Sequence, residues 1–307
     1  MITTVCMNPC YDKTATLSRL NIGEVNRLRD VRVDIGGKAI NVAIVLKRLG
    51  ANADCIGCLG EADEEGFLKL LEKENVPLSY ILVPGQVRTN LKLLDDESHS
   101  VTEFNEPGPT LSPEHLDAFI DLLREKTKDS SCVVFSGRLP MGCEEQTYQK
   151  CLHALQGKKC VLDSAGKSLL YGIKEKPYFV KPNLPEMESI MNRELRTLRS
   201  LRDAALFLME YGAQNVIISM GKYGAMYTNG QKTLFAPALQ VEARSTVGAG
   251  DAMIGGVLMG LDKGAPMEEA FRYGIAAGAA SVMTDGTQLL RPDDFYALVP
   301  KVTVQEV

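Results

Sequence analysis

The chain alternates two hydrophobic rhythms. Short, nearly all-apolar runs of strand length are TTVCMN (3–8), ADCIGCLG (53–60), CVVFSG (132–137), KCVLDS (159–164), YFVKPN (178–183) and NVIISMG (215–221). Between them lie stretches of helical character. Residues 36–49 form one, with Ile40, Ala43, Ile44 and Lys47 at helical spacing, and others span about 63–74, 112–127, 144–156 and 200–211. A strand that is apolar on both faces must be covered on both. The alternation therefore predicts an α/β fold, a three-layer α/β/α sandwich with a mainly parallel central sheet. Beyond residue 248 the pattern is helical, over about 249–262, 266–284 and 292–298.

Two stretches break the rhythm. Residues 12–34 alternate polar and apolar like half-exposed strands, and residues 87–104 read as a hairpin around Asp95–Ser98. Strands leaving an α/β core would form a small flap whose half-apolar surface needs a cover. No repeat or low-complexity linker divides the chain. The expectation is one domain over 1–307, with a β-sheet lid inserted at about 12–34 and 87–106.

Composition narrows the function classes. Of the 307 residues 45% are hydrophobic and 24% charged, a soluble globular balance that allows a large core. The net charge of −5 argues against a broad nucleic-acid footprint. No apolar run reaches the about 18 residues of a membrane span. The opening MITTVCMNPCYDK lacks a basic region followed by an apolar one, so a cytoplasmic protein is expected. Cys55 and Cys58 form the single C-x-x-C among eight cysteines, without a second pair or histidines at zinc spacing. Cysteines in runs such as CVVF and CVLD read as reduced, buried thiols.

Ligands of open α/β sheets bind beyond the C-terminal strand ends, and there the glycines and polar residues gather. Asn8, Pro9 and Asp12 follow the first strand. GGKAINVA (36–43) carries Lys38 in a glycine turn, and KPNLPE (181–186), SMGKYGA (219–225) and VGAGD (247–251) follow later strands. Each alone could be turn or cap chemistry; five at strand–helix junctions are too many for punctuation. There is no Walker-type phosphate loop, no G-x-G-x-x-G after the first strand and no G-x-S-x-G elbow. The three histidines, His99, His115 and His153, fall in expected flap or surface positions, which argues against a histidine mechanism.

With GGK-x-x-NVA, KPN-x-x-E, S-x-G-x-x-G and VGAGD in this order, the chain resembles the ribokinase-like (PfkB) carbohydrate kinases from Met1 to about Pro300. The resemblance implies ATP-dependent phosphorylation of a sugar hydroxyl, with Mg²⁺, and a lid that pairs between the subunits of a homodimer. Asp251 becomes the candidate base. The peptide N–H groups around Gly248, Ala249 and Gly250 become the anion hole, since a helix N-terminus attracts phosphoryl charge. The resemblance also implies that Glu186 organises Mg²⁺ through water, that Lys181 and Asn183 lie near the ATP phosphates, and that Ser219, Gly221 and Gly224 shape the nucleotide loop. Asp12, Gly36, Gly37 and Asn41 would hold the sugar.

Lys38, with Arg88 and Asn90 on the expected lid, suits an acceptor that already carries phosphate. Together with TEFNEPGP (102–109) this is similar to the phosphosugar branch, with fructose 1-phosphate ahead of tagatose 6-phosphate or fructose 6-phosphate. A kinase for a neutral alcohol would leave two cations without a phosphate partner. A non-catalytic sugar-phosphate sensor would need neither Asp251 nor Glu186. The chain departs from the pattern twice. Ala39 stands where glycine is common, and Arg138 stands where a small residue, usually serine, is expected. Pointing inward, Arg138 would add a cation beside the substrate or the transferring phosphate; pointing outward, it would be solvated.

Overall fold

The computed structural model covers residues 1–307. The chain begins with β1 (Ile2–Cys6), leaves the main sheet for β2 (Cys10–Leu17) and β3 (Arg29–Gly36), and returns through α1 (Lys38–Arg48) to β4 (Ala53–Gly60). α2 (Glu64–Glu72) and β5 (Leu78–Val83) follow, and a second excursion forms β6 (Arg88–Asp95) and β7 (Ser100–Asn105). The chain then runs through α3 (Pro113–Lys126), β8 (Cys132–Ser136), α4 (Thr147–His153), β9 (Cys160–Asp163), α5 (Gly166–Ile173), β10 (Phe179–Val180), α6 (Leu184–Met191), α7 (Leu198–Glu210) and β11 (Val216–Ser219). A hairpin of β12 (Ala225–Thr228) and β13 (Thr233–Ala236) leads to α8 (Ala249–Asp262), α9 (Met267–Val282), α10 (Pro292–Leu298) and β14 (Gln305–Glu306).

Ten strands build the main sheet in the order β14-β13-β12-β11-β10-β9-β8-β1-β4-β5. From β5 to β11 the pairs are parallel, and β12, β13 and β14 extend one edge antiparallel. The period-2 pleat explains the all-apolar runs. In β1, Ile2 and Cys6 join one core while Val5 joins the other, and in β4 Cys55 and Cys58 separate the same way. Those two thiols thus face opposite layers, which rules out a shared metal through that pair. All eight cysteines are free, and burial pushes the Cys55 thiol up to about 12. One core is closed by α1, α2, α8, α9 and α10, the other by α3 to α7. No helix is long and apolar enough to cross a membrane.

The sheet and the long helices fall where the hydrophobic pattern places them. β5, α5, α6 and β12 to β14 are additional elements. Within 12–34 only the ends are strands, because residues 18–28 form an irregular connection rather than half-exposed strand. β2, β3, β6 and β7 make a separate sheet in the order β3-β2-β6-β7. β2 pairs parallel with β6, while its two outer pairs are antiparallel. The register matches Asp12 with Asn90 and Asn90 with Asn105, and Lys92 with Glu103. These residues therefore share one face. Lys13, Leu91, Val33 and Phe104 share the other by the same register.

α8 and α9 pack through glycines. A Cβ on Gly256 would lie 2.5 Å from the Tyr273 carbonyl oxygen and 2.7 Å from the Ala277 Cβ. Gly256→Ala gains about 1 kcal/mol of helix propensity. Overpacking a fixed contact costs about 1–3 kcal/mol, and here the obstacle is backbone. The substitution is expected to lower the melting temperature by about 1–3 °C. A melting temperature equal to or above that of the parent protein would mean that the two helices separate freely.

Candidate active site

The C-terminal ends of β1, β8, β9, β10 and β11 meet the N-termini of α1 and α8 at one edge of the main sheet. The polar face of the second sheet contributes Asp12, Asn90, Lys92, Glu103 and Asn105 to the same cleft, which has a volume of about 980 Å³.

Asp251 lies in the first turn of α8 and is buried. Gly248 caps that helix in the left-handed region, φ 75°, which turns the chain into the helix without a side-chain cap. The N–H groups of Gly250 and Asp251 meet no acceptor in the chain, while that of Ala249 reaches the Thr246 carbonyl at 3.4 Å. Two free donors at the positive end of a helix form an anion site. The Asn41 amide of α1 donates to Asp251 Oδ2 at 2.8 Å. Burial pushes the Asp251 carboxyl up to about 6, against the pull of Lys38 and the Asn41 hydrogen bond. At neutral pH it is a poorly solvated carboxylate, a stronger base than an exposed one. Asn41, expected on the sugar, commits its amide donor to this carboxylate, and its carbonyl oxygen remains for a ligand.

A residue absent from the sequence expectations organises the cations. Asp163 ends β9 and pairs in register with Ser136 of β8. Ser136 Oγ donates to its Oδ2 at 2.8 Å; Lys38 Nζ lies 3.4 Å from the same oxygen and Lys181 Nζ 3.4 Å from Oδ1. Burial alone would raise this carboxyl, but the Lys181 and Lys38 ammoniums hold it down at about 2. Asp163 in turn holds Lys38 well above the ordinary lysine range, outweighing burial, with Asp251 and Glu186 assisting. The Lys38 side chain is 43% exposed and opens into the cleft, while that of Lys181 is 5% exposed. Lys181 borders the anion site, since a Cβ on Gly250 would lie 3.1 Å from its Nζ.

The second sheet closes around Asp12. Lys92 Nζ stands 3.1 Å from Asp12 Oδ1, and the Asn90 amide donates to that oxygen at 3.2 Å. Gly36 admits this arrangement, because a Cβ there would come within 2.3 Å of Asp12 Oδ2. Gly37 follows as the N-cap of α1, placing Lys38 at the helix start. Arg88 donates to the Asn8 carbonyl at 3.2–3.3 Å and to Asn90 Oδ1 at 3.1 Å, without a carboxylate partner. Lys92 is the second residue that sequence reading passes over; its place in the alternation of RTNLKL, two residues after Asn90, sets it on the same face. Arg138 is exposed and lines the cleft.

The other half of the cleft is lined by Asn183, Ser219, Gly221 and Gly224, with an apolar wall from Val247, Ile275, Ala279 and Val282. A polar pocket joined to an apolar slot through an anion site fits a nucleoside phosphate beside a small polar acceptor. Glu186, the expected organiser of Mg²⁺, lies in the first turn of α6. Its Oε2 accepts from the Asn183 N–H at 2.9 Å and Asn183 Oδ1 accepts from the Glu186 N–H at 2.9 Å, a capping box at the start of α6. One Glu186 oxygen is thus engaged, and the other makes no hydrogen bond within the chain. No group of three or more His, Cys, Asp or Glu side chains is gathered to hold a metal ion.

The family model for pfkB family carbohydrate kinases matches residues 5–294. The chain belongs to the pfkB family of carbohydrate kinases. It is 33% identical over 305 residues to the 1-phosphofructokinase of Vibrio cholerae, spanning 99% of this chain and 96% of the relative. The 1-phosphofructokinase of Bacillus subtilis is 32% identical over 306 residues, covering 99% of both chains. Among solved structures, phosphofructokinase-2 from Escherichia coli in complex with fructose-6-phosphate superposes with a TM-score of 0.90 at 29% identity over 98% of both chains. This pfkB-family chain is therefore a sugar kinase, a phosphotransferase with an alcohol acceptor, and its cosubstrate and cofactor are ATP and Mg²⁺.

Removing the shared carboxylate of this kinase tests the cation cluster. Asp163→Asn leaves two ammoniums facing each other and is expected to destabilise the fold by about 3–5 kcal/mol, the cost of breaking a buried ion pair. The Asp163 carboxyl titrates near 2 in the folded chain against an ordinary 3.8. Its contribution is thus complete above about pH 4 and lost as pH falls towards 2. Denaturant unfolding of both proteins between pH 2 and 8 checks this. A gap that stays constant with pH would locate the stabilisation elsewhere.

Proposed function

We propose that this kinase transfers the γ-phosphoryl group of ATP to fructose 1-phosphate, giving fructose 1,6-bisphosphate, with Asp251 as the base. The observation that carries the proposal is one cleft joining a buried, raised-pKa carboxylate under free N–H donors to an arginine, Arg88, without a carboxylate partner. The first pairing suits phosphoryl transfer to a hydroxyl; the second suits an acceptor that brings its own phosphate.

In this reading the acceptor hydroxyl sits against Asp251 and loses its proton to that carboxylate as its oxygen bonds to the γ-phosphorus. The bond from that phosphorus to the bridging oxygen breaks, and ADP leaves with the electron pair. The Gly250 and Asp251 N–H groups, with Lys181 and Lys38, receive the negative charge that spreads over the phosphoryl oxygens. Asn41 keeps Asp251 oriented. Mg²⁺, when bound with ATP, would neutralise part of the phosphate charge. A hard ion that keeps several waters suits a site with no protein cage, and the free oxygen of Glu186 would reach it through water. Asp12, held by Lys92 and Asn90, faces the sugar hydroxyls.

A second reading takes fructose 6-phosphate as acceptor, because the Escherichia coli neighbour was solved with that sugar. Steady-state assays with ATP and fructose 1-phosphate, fructose 6-phosphate or tagatose 6-phosphate separate the readings. The highest kcat/KM is expected for fructose 1-phosphate; a clear preference for either 6-phosphate overturns the choice, and no acceptor-dependent ATP consumption would leave a sensor. In the same assay Asp251→Asn is expected to lower kcat by about 10²–10⁴-fold. The parent's kcat/KM should fall as pH drops below about 6, where burial places the Asp251 carboxyl. Near-normal turnover of the variant would remove Asp251 from the role of base.

The second sheet serves, in this proposal, as a lid and as the contact between two subunits. Its outer face leaves Val33 43% and Phe104 52% exposed, apolar area that a second copy would cover. Sedimentation at micromolar concentration should give a dimer, and Phe104→Glu should shift it towards monomer. A monomeric parent protein would exclude this pairing.

A further inference from the structure

The cations of the cleft are engaged, with one exception. Lys38 and Lys181 share Asp163, Lys92 pairs with Asp12, and Arg88 donates to Asn8 and Asn90. Lys222 stands over the Tyr223 ring at the nucleotide end. Arg138 lines the same cleft, and its guanidinium makes neither an ion pair nor a hydrogen bond within the chain. It follows β8, where the resemblance leads to a small residue.

The backbone around Arg138 is fixed on both sides. Gly137 donates its N–H to the Asp163 carbonyl at 3.1 Å, and its own carbonyl accepts from the buried Tyr148 hydroxyl at 3.0 Å. A Cβ on Gly137 would touch the Lys38 Cβ at 3.8 Å. On the other side the Leu139 carbonyl accepts from the Asn8 amide at 3.5 Å, and the Asn8 carbonyl in turn accepts from Arg88. Arg138 is therefore held one residue from the Lys38 contact and one residue from the Asn8–Arg88 network. Both belong to the acceptor half of the cleft. The nucleotide half, with Ser219, Gly221 and Lys222, is built from β11 and the turn after it.

We infer that Arg138 is a specificity-determining residue that binds the phosphate already carried by the acceptor sugar, together with Arg88. The inference rests on the reading that the acceptor is a phosphosugar. A phosphate monoester carries nearly two negative charges at neutral pH, which one guanidinium does not balance. A second planar fork adds paired N–H donors to its oxygens. Arg138 also has no internal partner to give up on binding. The consequence is a stronger preference for a phosphorylated acceptor over the same sugar without phosphate.

The test compares the full-length protein with Arg138→Ser and Arg138→Lys. Calorimetry with fructose 1-phosphate in the absence of nucleotide reads acceptor affinity, and steady-state kinetics reads KM for acceptor and ATP separately. Arg138→Ser is expected to weaken binding about 10-fold, the low end for a charge-assisted hydrogen bond at an open site. KM for fructose 1-phosphate should rise in parallel, KM for ATP should hold, and the preference over fructose should shrink about 10-fold. Arg138→Lys should recover part of the loss, because it keeps the charge without the fork. Unchanged affinity in Arg138→Ser overturns the proposal and makes the side chain a solvated one. A fall in kcat with unchanged acceptor affinity also overturns it, by moving Arg138 to the transferring group. If the parent protein binds fructose 1-phosphate but does not turn it over, the kinase reading fails while the calorimetric comparison still decides the role of Arg138. Absence of any phosphosugar binding to the parent sinks both.

Discussion

Asp163 is shared between two ammonium groups that come from different parts of the chain. Lys38 begins α1, Lys181 follows β10, and Asp163 ends the strand beside β10. Two ammoniums brought this close to the positive ends of α1 and α8 would repel one another and both helices. One buried carboxylate, steadied by Ser136, reverses the sign of that interaction and fixes where both cations stand. The Asp251 carboxylate faces the same ammoniums, so the remaining positive potential is that of the free N–H groups of α8. A phosphoryl anion is what such a site lacks. Its attraction for anions therefore rests on the helix N-terminus and on ammoniums that Asp163 holds in place.

Asp251 illustrates the opposite balance. Its carboxyl is raised from 3.8 to about 6 by burial, which by linkage is a cost to the fold. The sign follows from the shift. Below about pH 4 both folded and unfolded carboxyls are protonated and there is no cost. Between about 4 and 6 only the unfolded chain ionises, so the penalty grows; above 6 it is constant at roughly 3 kcal/mol, at about 1.4 kcal/mol per unit. Asp163 stabilises the fold in the range where Asp251 weakens it, and both contributions are complete at neutral pH. The close packing of α8 on α9 through Gly256 gives Asp251 a rigid support, so its burial is maintained by helix contacts.

Much of the framework was legible because the main sheet is apolar on both faces. Covered strands such as CVVFS and ADCIGCLG cannot be anything exposed, and the glycine turns mark the strand ends where ligands bind. The parts that escaped reading have physical reasons. Asp163 closes an apolar run, and nothing in KCVLDS separates a strand-end acid from a catalytic counter-ion; the two lysines that define it lie about 125 and 18 residues away. Glu186 carries two meanings in one motif, since N-x-x-E is both a metal-organising pattern and a capping box; the cap uses one oxygen and leaves the other free. β12 and β13 had a readable signal, the Asn229-Gly230 pair at their turn. For β10 the run YFVKPN reads as a strand, and only its two residues Phe179 and Val180 are paired in the sheet.

The half of the cleft lined by Asp12, Asn90 and Lys92 depends on a different kind of constraint, the register of the second sheet. Asp12, Asn90 and Lys92 reach the cleft because β2 and β6 pair with Asp12 opposite Asn90. A slip of one residue in β6 would turn Asn90 and Lys92 outward and bring Leu91 towards the cleft. The register is held at one end by Arg88 on the Asn8 carbonyl and at the other by Asp95, whose carboxylate accepts from the Leu20, Glu97 and Ser98 N–H groups. A small apolar cluster of Ala15, Leu17 and Leu93 adds a packing lock between them. Arg88 thus acts twice, fixing the strand that carries the pocket and presenting a cation inside it. The cation in the cleft and the register of the second sheet are coupled through that one guanidinium, so a change at either is transmitted to the other.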